Sequence, residues 1–141
     1  MLKNILSVSG KSGLFKMISQ GKNVFIAESL VDQRRIPVYS RNTIVSLGDI
    51  GIYTDGEAVP LSQIFSIIKE KENGKPIDFS RINNPDKLKS YFMEILPNFD
   101  RNRVYLSDIK KITSWYNLLI NNGIVDFEKK EETEEPLKGN S

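Results

Sequence analysis

The sequence predicts an α+β protein. Its first part is an antiparallel, strand-rich small β-barrel, SH3/Sm-like in general shape; a three-helix part and a disordered acidic tail follow. Three observations carry that expectation. Up to about Val59, apolar residues come in short β-branched runs separated by Gly, Asn, Ser and Asp. From Pro60 to Phe127 they recur at helical spacing. From Glu128 onward they almost disappear. The expected divisions are residues 1–59, 60–127 and 128–141.

In the first part, runs fall at 5–8, 14–18, 24–30, 36–39, 43–47 and 50–54. Between them lie residues such as Gly10, Gly13, Gly21, Asn23, Asp32, Asn42 and Gly48. Glycine and asparagine tolerate the positive φ of tight turns, so these are connections between strands. Strands this closely joined pair antiparallel, because a parallel crossover needs about a dozen residues. Curling the resulting meander into a barrel would cover its edges and enclose Phe25, Ile26, Val38, Val45 and Ile52.

In the second part, Leu61, Ile64, Phe65 and Ile68 share one helical face, with Pro60 near the first turn and Gly74 as terminator. Leu88, Tyr91, Phe92, Ile95 and Leu96 form a second stripe, capped by Asn84, with Pro85 at the first helical position and Pro97 as the stop. A third stripe is Ile109, Ile112, Trp115, Tyr116, Leu119 and Ile120, starting after Ser107 and stopping at Gly123. Such helices need packing partners, either each other or the sheet. After Phe127, five Glu and three Lys leave a charge of −2, and the segment has too few apolar side chains to offset ordering entropy.

The 141 residues include neither cysteine nor histidine. That excludes a thiol nucleophile, a disulfide, a Cys/His zinc site and a histidine-based triad. A net charge of +2 is too small to argue by itself for nucleic acid or an anionic membrane. No apolar run reaches the roughly 18 residues of a membrane-spanning helix. The short apolar patch at the start lacks a signal-peptide core and cleavage site, so a cytoplasmic setting without membrane contact is expected.

Three constellations carry some chemistry. Gly10-Lys11-Ser12 matches the end of a phosphate-binding loop, but Ile5 stands where that loop needs glycine, and a strand follows where it needs a helix. Asn98, Asp100 and Asn102 alternate like calcium-loop ligands, yet Arg103 and Ile109 hold the places of the required glycine and glutamate. Arg101, Arg103, Tyr105, Lys110, Lys111, Trp115 and Tyr116 interleave cations with aromatics, as single-strand binders do. Helical spacing instead assigns Trp115 and Tyr116 to the core, with Lys110 and Lys111 on the solvated face. Lys11, Lys16, Lys22, Arg34, Arg35 and Arg41 fall in or beside strand-region turns, nearly balanced by Glu28, Asp32, Asp49, Asp55 and Glu57.

The run Leu6-Ser7-Val8-Ser9-Gly10-Lys11-Ser12-Gly13-Leu14-Phe15-Lys16 resembles a family of small uncharacterised bacterial proteins. Ile18 to Asn23, Glu28-Ser29-Leu30, Arg35-Ile36-Pro37, Leu96 to Arg101, Asp108 to Lys111 and Ser114-Trp115-Tyr116-Asn117 continue the resemblance, which covers nearly everything before the tail. It implies a domain of unknown function followed by a helical partner domain, in a bacterial cytoplasm. It implies no catalytic residue or cofactor.

The functional expectation is a non-enzymatic binding or scaffolding module acting through protein contacts, self-association included. The first alternative is binding of single-stranded RNA through the barrel loops or the 101–111 segment. An enzyme of unknown chemistry is the second, and no catalytic, cofactor-binding or metal-ligating set supports it. Candidate contacts with nucleic acid or another partner are Lys11, Lys22, Arg34, Arg35, Arg41, Arg101, Arg103, Lys110 and Lys111.

Overall fold

A computed structural model describes residues 2–39 and 43–127. Its strands are β1 (Ile5–Val8), β2 (Phe15–Gln20), β3 (Val24–Ser29), β4 (Arg35–Tyr39), β5 (Ile44–Ser46), β6 (Gly51–Ile52) and β7 (Val59–Pro60). The helices are α1 (Leu61–Lys71), α2 (Pro85–Ile95) and α3 (Leu106–Asn121). The first five strands form one antiparallel sheet in the order β4-β3-β2-β1-β5. The ladder of β2 against β3 slips between Met17 and Ser19, a bulge at Ile18 that carries β2 on to Gln20.

Two expectations about the strands are corrected. The 50–54 run does not join the main sheet: Gly51 and Ile52 pair with Pro60 and Val59 in a separate hairpin. Its far side reaches the helical part through the Thr54–Phe99 bridge. Nor do ladder bonds close the sheet into a barrel, since β4 and β5 remain its edges among the described residues. The reason lies in packing: Leu2, Ile5, Leu14, Leu30, Leu47 and Ile52 bury against the three helices in one continuous core. Of the five side chains expected inside a barrel, only Phe25 and Val38 share the smaller cluster with Val8, Phe15 and Ala27. Ile52 belongs to the helical core, and Val45 is 40% exposed.

The helices follow their stripes closely. α1 buries Leu61, Ile64, Phe65 and Ile68; α2 buries Leu88, Tyr91, Phe92 and Ile95. Asn84 caps α2 by accepting the Lys87 amide at 2.9 Å. α1 ends on Asn73 and Gly74, both at positive φ, with the Gly74 amide donating to Lys69 O. α3 begins at Leu106, earlier than its stripe suggested, because the Asp108 carboxylate accepts the Tyr105 amide at 2.9 Å. It ends in a Schellman turn around Gly123, with Ile124 N donating to Leu119 O.

The core runs across the division expected near residue 59. Leu2, Ile5, Leu14, Leu30 and Leu47 share it with α1, α2 and α3, while within the helical part Phe92 meets Phe99 edge-on at 5.1 Å and Phe127 packs on Phe65 at 5.4 Å. The Asn122 side chain donates to Leu30 O and accepts from Gln33, tying the end of α3 to the β3–β4 turn.

Candidate functional site

The β1–β2 turn, residues 9–13, lies against α3. Ser9 N donates to Thr43 O and Lys11 N to Val8 O, which fixes the start of the turn. Gly13, at φ +79°, permits the close approach: a Cβ there would sit 2.8 Å from a Val31 methyl and 3.8 Å from Leu118 Cδ1. On the helix side, Lys110, Lys111, Ser114, Trp115 and Leu118 share one face by helical spacing.

Turn and helix enclose a groove of about 510 Å³. Lys11 enters from the turn, Lys110 and Lys111 from the helix, and Ser9, Ser12 and Ser114 add hydroxyls. Trp115 and Leu118 supply apolar wall, and among the described residues no carboxylate lines the groove. The three lysines are exposed and form no ion pair with another described residue.

Lys111 and Trp115 also line a second cavity of about 260 Å³, together with Tyr53, Arg103 and Asp108. The loop carrying Arg103 is held to the β6 region by Asp100 N donating to Tyr53 O at 2.9 Å. The Arg103 guanidinium lies over the Tyr53 ring, 4.2 Å from its centroid, and its Nε donates to Asp100 Oδ2 at 2.9 Å. That bond, then the one from the Asn102 amide, holds the Asp100 carboxyl below the usual carboxylate range. A third cavity of about 400 Å³ shares Lys110 and Ser114 and is walled by Phe79, Ile82, Pro85 and Leu88.

The structure thus gathers Lys11, Lys110 and Lys111, with Arg103 one cavity away. Lys22 sits in the β2–β3 turn, at the opposite end of β2 from Lys11. Arg34 faces Asp32 at 3.7 Å, and Arg35 faces Glu28 at 3.3 Å. Arg101 lies 5.5 Å from the Phe99 ring centroid, with a nitrogen 3.6 Å from Met93 Sδ. Arg41 lies outside the described residues. Tyr116 is fully buried, as its stripe suggested, whereas Trp115 is half-buried and faces the cavities. Sequence reasoning missed Ser114 and Tyr53. Ser114 follows Lys110 by one helical turn and was detectable; Tyr53 arrives only through the hairpin docking on the 96–105 loop.

An antiparallel sheet packed on three helices, with a lysine-rich groove between the β1–β2 turn and α3, defines an α+β protein. Residues 2–47 match the family described as Domain of unknown function (DUF5606), and residues 50–119 match Domain of unknown function (DUF6852). A solution NMR structure of a Bacteroides vulgatus protein is similar at 50% identity and a TM-score of 0.73, over 90% of this chain and 91% of that one. The chain belongs to this family of proteins of unknown function that join the two domains. No curated protein matches it. Among the described residues, no helix is long and apolar enough to cross a membrane.

Proposed function

We propose that the protein is a non-enzymatic binding module and that the groove between the β1–β2 turn and α3 is its binding surface, for an anionic partner. One observation supports this above others: lysines from two distant segments converge on a groove whose lining, among the described residues, has no carboxylate. Unpaired ammonium groups in a concavity attract anions, and displacing counterions favours a polymer over a single charge. Both expected partner classes meet the charge requirement, a protein through an acidic segment and a single-stranded RNA through its phosphates.

The same reading keeps the SH3/Sm-like curl of the sheet as a proposal. β4 and β5 run the same way on opposite edges. The chain from Tyr39 to Ile44 spans at most about 19 Å. A flat five-stranded sheet would need about 19 Å for its width alone, before the length of a strand is added.

The test is a titration of the protein with polyglutamate and with oligouridylate at low and high salt. Binding of at least one, weakened by salt, is expected, and simultaneous charge reversal at Lys11, Lys110 and Lys111 should lower affinity at least about tenfold. Failure of both polymers to bind at low salt, or full binding by the triple variant, would overturn the reading.

A further inference from the structure

We propose that the partner of this groove is a single-stranded nucleic acid, with phosphates over Lys11, Lys110 and Lys111 and a base stacked beside Trp115 and Tyr53. This rests on the groove being an anion site. It adds a claim about the second cavity, which an anion alone does not need.

The two cavities share Lys111 and Trp115, so the lysine groove continues into a cavity that holds Trp115, Tyr53 and Arg103, with the Asp108 carboxylate also in its lining. From the first hairpin the lining passes Lys11, then Lys110 and Lys111, then Trp115, and ends at Arg103 on Tyr53. A nucleotide likewise combines a charged group with a flat ring, and sequence-tolerant single-strand sites pair cations with aromatics to hold both. Arg103 and Tyr53 already form a stack of guanidinium on ring at 4.2 Å, and Tyr53 is 49% exposed. Asp100 holds the guanidinium in place through its 2.9 Å bond, so the platform is preorganised. The hydroxyls of Ser9, Ser12 and Ser114 can donate to phosphate oxygens beside the lysines. An acidic peptide would satisfy the three lysines equally well. It would leave the Trp115 wall and the Tyr53–Arg103 platform unused, which is why the observations favour bases.

Trp115 is the only tryptophan in the chain, so its fluorescence reports on this site alone. The experiment titrates the full chain at low salt with a short oligouridylate, with polyphosphate of the same charge, and with polyglutamate. Saturable quenching by the oligonucleotide is expected, with affinity about tenfold tighter than for either base-free polymer. Tyr53→Ala, which keeps the backbone oxygen that anchors Asp100, should weaken oligonucleotide binding about fivefold and leave polyphosphate binding unchanged. Lys11→Glu should weaken both. Equal binding of oligouridylate and polyphosphate without quenching, or no effect of Tyr53→Ala, would overturn the nucleic-acid inference while leaving the anion groove intact. Tighter binding of polyglutamate would identify an acidic protein segment instead. Binding of none of the three would overturn both.

Discussion

Replacing Asn117 by alanine should destabilise the protein far more than a half-buried polar side chain normally would. Its Oδ1 accepts the Ile77 amide at 2.7 Å and its Nδ2 donates to the Ile77 carbonyl at 3.0 Å. Ile77 is buried at 5% exposure, in the irregular connection between α1 and α2. The amide therefore serves as a strand partner for one residue. Truncation removes two hydrogen bonds, each worth about 1 kcal/mol net, and leaves two backbone groups unpaired near the core at a further cost of about 1 kcal/mol. The expected loss is about 3 kcal/mol, and at this chain length about 3 °C per kcal/mol gives a fall in melting temperature near 9 °C. Asn117→Asp adds a pH test. Only the protonated acid can donate to Ile77 O, so the folded-state pKa of the new carboxyl should rise above the usual value of about 3.9. Its stabilising bond is present below that value and lost as pH rises through the folded pKa. The deficit of Asn117→Asp against the parent should therefore shrink between about pH 7 and pH 4, while that of Asn117→Ala stays level. Chemical denaturation across that range measures both. A loss below about 1 kcal/mol for the alanine variant, or parallel pH profiles for the two, would refute the clip.

Burial pushes the Tyr116 hydroxyl up to about 12, with Glu72 adding to the shift. The folded state thus holds this proton more tightly than the unfolded chain. The associated stability is complete below about pH 10 and lost as pH rises toward 12, so denaturant midpoints should fall in that window and fall less steeply in Tyr116→Phe. Phe92 is fully buried and edge-on to Phe99, so Phe92→Ala should cost about 3–5 kcal/mol in urea unfolding; a loss below about 2 would mean the core collapses into the space. Gly10 and Gly13 share positive φ, but only Gly13 is crowded. Alanine at either should cost about 1 kcal/mol, and more at Gly13 where Val31 must move; equal losses in thermal melts would show that the methyl yields freely.

Much of the local structure was legible in the sequence because local rules decide it. The Asn84-Pro85 start of α2, the Gly123 stop of α3 and the buried stripes of all three helices depend on residues within a turn or two of each other. The same holds for β1 to β4, whose turns lie beside them in sequence, whereas β5 leaves the expected meander and pairs with β1. Asp108 is the instructive exception: its reach back to Tyr105 was within local range, but the Ser107 signal pointed to a later start.

The candidate site was only half legible. Lys11, Lys110, Lys111, Arg103 and Trp115 all attracted attention by residue type, yet nothing in their spacing joins a hairpin turn to a helix about a hundred residues later. Tertiary packing made that choice when Leu14 and Leu30 buried against the helices and Gly13 let the turn approach Leu118. The same packing turned Tyr116 into the core and left Trp115 at its rim, although they are adjacent in sequence. It also gave β6 a partner in β7 rather than in the main sheet. By itself the sequence determined which segments become strands and helices and which chemistries are absent, because periodicity, caps and composition are local or global sums. Which side chains meet was decided by the fold alone, because burying apolar surface acts between segments with no fixed separation along the chain.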